Sequence, residues 1–452
     1  MLDNAPNNDT TLVELSKSMG FDPKAKRLHC MGHVLNLIAE AYLYGQDTSN
    51  FEKQFKEQGL TGRRKMWRDR GELGKLHNLV AHVMASGKRS ELFTALQSTE
   101  NIGKAAGKRW RLVLDGGIRW NATYSMIRRA LELKQALNTY TAQLRVSSDA
   151  LDNETYEQDY LSDSEWKNLE LIKGQLELLF HITKALEGNA DFKDGSCKAS
   201  HGQLGELLPV FEHILTHFER LERQAKAGDF DDHPGIKCSI TEAWNKAKDY
   251  YGKTDESVAW IASTVMNPRF KMKYFEDKWS GNESHFLRIS KPKVKKLWED
   301  VYKRETVIIR PQSPPSVAPP VDYLEDILSQ VSPQLAAPTR ASSRKDQYAQ
   351  YLEEPVSHVP IMQYWRSKEP EWPQLASMAF DFLAVPAMSS ECERVFSSCG
   401  KQTTPESSRL TGRMLWHQEC LSNWQRRGAI RIPEAFNAAV IDWDSDDSDK
   451  KF

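Results

Sequence analysis

No run of about 18 apolar residues occurs in this 452-residue chain, which excludes a membrane-spanning helix by length alone. Met1 leads into the polar stretch Leu2 to Thr11 rather than a charged start and an apolar core, so no secretory leader is expected. An excess of charge of either sign is also lacking. Lys+Arg 61 stand against Asp+Glu 62, so a nucleic-acid surface, if present, is local. Cysteine is sparse: Cys30, Cys197, Cys238, Cys392, Cys399 and Cys420 show no dense spacing, which predicts reduced thiols in an intracellular compartment. The sequons at Asn121, Asn153 and Asn282 are then chance matches, and no repeat of 20–50 residues is visible.

What is present is enough to build two or three folded units, with 40% apolar and 27% charged residues. Leu28, Met31, Leu35, Ile38 and Tyr42 recur at helical spacing and predict a helix over Leu28 to Tyr44. Residues 51–70 carry seven Lys or Arg (Lys53, Lys56, Arg63, Arg64, Lys65, Arg68, Arg70) against three acids and read as a basic loop. Trp110 to Leu114, ending at Asp115-Gly116-Gly117, reads as a strand and turn. From about 120 to 305 the pattern is amphipathic helix: Leu169 to Thr183 behind a capping box of Ser162 and Glu165, then Val210 to Leu221, then Trp244 to Tyr251. Seven prolines in 311–340 predict a disordered linker. Two later helices are expected over Leu375 to Leu383, stopped by Pro386, and over Leu410 to Trp424. In the latter, Leu410, Met414, Leu421 and Trp424 form a stripe that reads as core. The stretch Asp442 to Asp449 is acidic.

The residues that could carry chemistry form an ordered series. Asp3-Asn4-Ala5-Pro6-Asn7-Asn8 comes first, followed by Cys30-x-x-His33 and Arg119-Trp120-Asn121; Ser390-Glu391-Cys392-Glu393-Arg394-Val395-Phe396-Ser397 comes last. In this order they resemble the hAT superfamily of DNA transposases. Family-like blocks also lie at Trp166 to Gly188, at Ala262 to Trp279 with Asn267-Pro268-Arg269-Phe270-Lys271, and most specifically at 361–424. The resemblance implies a mixed α/β, predominantly helical chain: a partial RNase H-like fold interrupted by a large all-α insertion domain. The expected division is a partial core over 1–120 and a helical insertion over 121–308. A Pro-rich linker over 309–345, a dimerisation region over 346–428 and an acidic tail over 429–452 follow.

The same resemblance implies Asp3 as the family's second catalytic Asp and Glu393 as its catalytic Glu, with Glu391 as the offset alternative. In the intact family the resemblance implies that both carboxylates hold Mg2+ or Mn2+, because two-metal phosphoryl transfer needs converging carboxylates, with no cation in this chain as the alternative. No counterpart of the first catalytic Asp or of a BED-type zinc finger stands ahead of Asp3, so a catalytically incomplete protein is the expectation. Trp120 resembles the family tryptophan that stacks on a flipped base, and stacking is worth roughly 1–3 kcal/mol; a buried helix-start Trp is the equal alternative. Lys104, Lys108, Arg109, Arg111, Arg119, Arg128 and Arg129 against Asp115 alone suggest a track for a phosphate backbone. Asp115 itself reads as a turn residue, or as a metal carboxylate at a strand end. Cys30 and His33 read as a packed or DNA-facing pair on one helix, too few for a structural zinc site. Expected partners are DNA and a second copy of the chain, with which the resemblance implies that some apolar surface of the Leu410 to Trp424 block is shared, without a membrane, in the nucleus; Pro292 to Lys296 is a weak import signal. The alternatives are an active cut-and-paste transposase and a domesticated regulator or scaffold.

Overall fold

The computed structural model describes residues 1–3, 5–45, 59–99, 110–115, 120–187, 192–193, 196–197, 202–279, 281, 284–303, 346–403, 410–426 and 430. The linker expected over 309–345 and nearly all of the acidic tail lie outside them. Among the described residues the chain is predominantly helical, with 19 α-helices. β-structure consists of the antiparallel pair β1 (Phe192–Lys193) and β2 (Ser196–Cys197), a parallel bridge between Leu2 and His29, and an antiparallel bridge between Gln203 and Pro386.

Two compact units divide the chain: Met1–Trp260 with Val385–Phe452, and Ile261–Ala384. The expected insertion (121–308) and dimerisation region (346–428) are each divided between these two units.

The first unit holds α1 (Pro6–Met19), α2 (Met31–Tyr44), α3 (Leu60–Arg68), α4 (Gly71–Met84), α5 (Gly87–Thr99), α6 (Trp120–Glu132), α7 (Lys134–Leu144), α8 (Ala150–Gln158), α9 (Asp163–Glu187), α10 (Leu204–Ala227) and α11 (Pro234–Gly252). Helix α2 buries Met31, Val34, Leu35, Ile38 and Tyr42, the spacing that puts one stripe toward the core. The capping box of α9 is present. Ser162 N donates to Glu165 Oε2 at 2.8 Å, and Glu165 N donates to Ser162 Oγ at 3.3 Å. Helix α11 begins ten residues before the expected Trp244, with Pro234 in its first turn.

Two expectations in this unit are corrected. The basic run is not all loop, because Leu60–Arg68 is helical and two of its arginines turn inward. Arg64 Nη2 lies 2.5 Å from Asp159 Oδ2, and Arg68 Nε lies 2.7 Å from Asp159 Oδ1. Asn78 Nδ2 donates to the same carboxylate at 3.1 Å. Asp159 is fully buried, so its charge is tolerated only because these donors surround it. Nor is Trp110 to Leu114 a strand. The Gln97 side chain donates to Trp110 O and accepts from Trp110 N, both at 2.9 Å, which fills the place of a neighbouring strand. The close approach of α3 and α4 depends on Gly74, where a Cβ would meet Trp67 O at 1.6 Å.

The second unit comprises Ile261–Ala384. Its helices are α12 (Val258–Met266, which begins just before it), α13 (Lys271–Lys278), α14 (Ser284–Leu297), α15 (Gln347–Glu353), α16 (Ile361–Lys368) and α17 (Pro373–Leu383). Its core is aromatic, with Phe275, Trp298, Tyr351, Trp365 and Trp372 buried. The polar ends of these rings find backbone or side-chain partners: Trp365 Nε1 donates to Met266 O at 2.8 Å and Tyr351 OH to Val265 O at 2.8 Å. Lys271, at φ 54, is buried and donates to Tyr351 O at 2.8 Å and Glu354 O at 3.0 Å. It thereby satisfies carbonyls at the end of α15, while burial pulls its ammonium down to about 8. The chain returns to the first unit through α18 (Ser390–Gln402) and α19 (Gly412–Arg426).

Candidate functional site

The segments that carry Asp3, Cys30 and Glu393 meet at one end of the first unit. Leu2 N donates to Leu28 O at 3.1 Å and Cys30 N donates to Leu2 O at 2.9 Å, the pattern of a parallel bridge. Asp3 follows it directly. Its Oδ1 accepts from Ala5 N at 2.9 Å and Asn8 Nδ2 at 2.5 Å, and its backbone carbonyl accepts from Arg27 Nη2 at 2.6 Å. Cys30 is buried at the entrance to α2 rather than on the helix with His33, which sits half-buried in the first turn. Cys30 Sγ accepts from Ser389 N at 3.3 Å and lies 3.2 Å from Ser389 Oγ. Ser389 Oγ in turn donates to Glu393 Oε1 at 3.0 Å. A continuous chain of bonds thus runs from Asp3 through Leu2, Cys30 and Ser389 to Glu393.

The mounting of α18 is equally specific. Arg394 Nη2 donates to Glu187 O at 2.8 Å, placing a cation on the carbonyl end of α9, where the helix dipole favours it. Met31 N donates to Ala387 O at 3.1 Å, Ala387 N to Gly202 O at 2.7 Å, and Leu204 N to Val385 O at 3.0 Å. The entrance to α18 is therefore stitched to the starts of α2 and α10. Beside this end, burial together with Arg27 and Lys253 pulls the imidazole of His29 down to about 4.

Asp3 and Glu393 are the carboxylates expected to hold divalent cations. Among the described residues no group of three His, Cys, Asp or Glu side chains could hold a metal ion, and Asp3 spends one oxygen on two local donors. This donor set does not by itself fit a two-cation centre.

The expected DNA-facing residues separate. Lys108, Arg109 and Arg119 lie outside the described residues. Arg111 is exposed, and its carbonyl accepts from Arg129 Nη1 at 2.6 Å. Trp120 opens α6 but is 2% exposed, packed edge-on against Tyr124, so in this structure it offers no free face to a base. Close by lies a polar cluster the sequence did not reveal. Asp115 is buried, bonded to His77 Nδ1 and accepting from Thr123 Oγ1 at 3.2 Å. Trp67 stacks on His77 at 3.8 Å, and burial with the Asp115 charge pushes the Tyr44 phenol up to about 12. The acid after the apolar run Leu112 to Leu114 was the available signal, but its partner His77 is distant in sequence.

The third feature is a surface. Helices α18 and α19 are joined by Glu419, which accepts from Ser398 Oγ at 2.6 Å and Gln402 Nε2 at 2.9 Å. Phe396 of α18 (75% exposed) and Met414, Trp416 (63%), Leu421 and Trp424 of α19 are exposed on these two helices. The stripe expected to be core is corrected here: Met414, Leu421 and Trp424 are about half exposed, since nothing within the described chain covers them.

Residues 347–425 match the hAT family C-terminal dimerisation region, and residues 28–175 match the ZBED1 RNase-like helical domain. Both matched regions are those of hAT transposase-like proteins. Among its hAT relatives, an AC transposase of Zea mays is 22% identical, the match covering 96% of this chain and 49% of the relative. RICESLEEPER 2 of Oryza sativa subsp. japonica, a zinc finger BED domain-containing protein, is 24% identical over 73% of this chain and 44% of the relative. DAYSLEEPER of Arabidopsis thaliana, also a zinc finger BED domain-containing protein, is 24% identical over 63% and 37%. The chain thus spans about half the length of these hAT relatives or less. No helix among the described residues is long and apolar enough to cross a membrane.

Proposed function

We propose that this chain is a transposase-derived nuclear protein that self-associates through α18 and α19 and binds DNA. The observation that carries the reading is the apolar surface of Phe396, Met414, Trp416, Leu421 and Trp424, inside the matched dimerisation region. Large aromatic side chains exposed together are costly in water, and a two-fold contact lets one such patch cover its own copy. A partial RNase H-like core is supported by the parallel bridge of Leu2 and His29 beside Asp3 and by the approach of α18 to that same end. Sedimentation equilibrium of the purified chain is expected to give twice the 51.8 kDa monomer mass at micromolar concentration; a monomer throughout that range contradicts the reading.

A second reading, an active cut-and-paste transposase, draws on the bonded path from Asp3 to Glu393. Mg2+-dependent nicking of supercoiled DNA that Glu393→Gln abolishes would support it, and no nicking would count against it.

A further inference from the structure

We propose that α14 is a duplex-contacting helix of the second unit, its outer face gripping the phosphate backbone of DNA. This rests on the DNA-binding reading above and assigns it a surface outside the Asp3–Glu393 end. Helix α14 (Ser284–Leu297) contains Arg288, Lys291, Lys293, Lys295 and Lys296 and no acid, in a chain whose charges balance overall.

Its inner side is fixed by Ser290, Val294 and Trp298 of the following turn, all buried at four-residue intervals. At 100° per residue, the mean direction of Arg288, Lys293 and Lys296 lies roughly 190° from that stripe, and all three are exposed. The flanking lysines are engaged: Lys291 with Glu276 at 2.5 Å and Lys295 with Glu299 at 3.6 Å. Arg288, Lys293 and Lys296 have no ion-pair partner among the described residues. Arg288 and Lys296 are separated by about 12 Å along the axis at 1.5 Å per residue, a span over which a duplex backbone presents several phosphates.

Phosphate is favoured over a lipid surface because the helix spends its apolar stripe inside the fold. Phe286 and Ile289 remain exposed, too little to seat a helix among acyl chains. The cations that remain are suited to sequence-independent contacts, which position a protein on DNA rather than select a site.

The test is fluorescence anisotropy of the full chain with a labelled 30-base-pair duplex of arbitrary sequence, over about 50 to 200 mM salt. The triple variant Arg288→Ala, Lys293→Ala, Lys296→Ala is compared with a control triple, Lys17→Ala, Lys184→Ala, Lys226→Ala, whose lysines are exposed but ion-paired. Loss of three phosphate contacts is expected to reduce the slope of log Kobs against log salt by about 2.7 and to weaken binding at least tenfold. The control should keep the wild-type slope, with unchanged circular dichroism in both. An unchanged slope in the α14 triple overturns the proposal while leaving DNA binding standing. Wild-type chain that ignores the duplex at 50 mM salt overturns the DNA-binding reading and this one with it. Capture by phosphatidylserine vesicles without duplex binding assigns α14 to lipid and also overturns it.

Discussion

Between residues 347 and 384, Tyr351, Trp365 and Trp372 are buried, and their hydroxyl or indole groups are bonded. Between 390 and 425, Phe396, Trp416 and Trp424 face solvent. Both stretches belong to the same matched dimerisation region, yet the first belongs to the second unit and the second to the first. The difference teaches how to separate two uses of an aromatic ring. A ring with a polar partner inside the chain completes a monomer's core, whereas rings clustered outward without cover are left for another surface.

Mutations should break this contrast cleanly. The largest effect is expected at Trp365→Ala, which opens a cavity and orphans Met266 O; about 3–5 kcal/mol of stability should be lost, read as a fall in denaturation midpoint. Asp159→Ala, outside the contrast but in the same unit as the exposed rings, strips a buried carboxylate from Arg64 and Arg68 and should cost about 3–5 kcal/mol. Glu419→Ala should cost about 1–3 kcal/mol by leaving Ser398 and Gln402 without their acceptor, and should loosen α18 from α19. That loosening should weaken self-association as well, which distinguishes it from the core changes. Smallest in stability is Trp416→Ala, expected to lie within about 0.5 kcal/mol of wild type while shifting mass toward monomer.

Acid should act on the first unit. His29, held at about 4, and His82 and His217, both lowered by burial, stay neutral in the fold, whereas the unfolded chain takes up protons near 6.5. The unfolded state then binds more protons, so stability is fully present above about pH 6.5 and falls as pH drops toward 4. Urea unfolding at pH 7.5 and pH 5 should show the lower midpoint at pH 5.

The sequence made the helices readable where apolar spacing and caps agree, as in α9 with Ser162 and Glu165, and it made the order of the family motifs readable. It could not disclose that Arg64 and Arg68 point inward, because their partner Asp159 lies far along the chain and a charge run looks alike on either face. Gln97 replacing a strand beside Trp110 leaves no periodic signature at all. In α19 the spacing of Met414, Leu421 and Trp424 marks an apolar stripe, but spacing reports which residues share a face and not whether the chain itself or a second copy covers it. Of the candidate site, the order of the motifs makes Asp3 and Glu393 readable as candidates. The Cys30–Ser389 link between them joins residues more than 350 positions apart, which only folding could bring together.

The most direct test compares wild-type chain with the triple variant Phe396→Ser, Trp416→Ser, Trp424→Ser by sedimentation equilibrium, with circular dichroism and the thermal midpoint as controls. The account predicts a wild-type dimer, a monomeric variant, unchanged helicity, and a variant midpoint that matches wild type diluted to monomer rather than falling below it. A variant that stays dimeric, or that unfolds because those rings serve the monomer's own core, would contradict it.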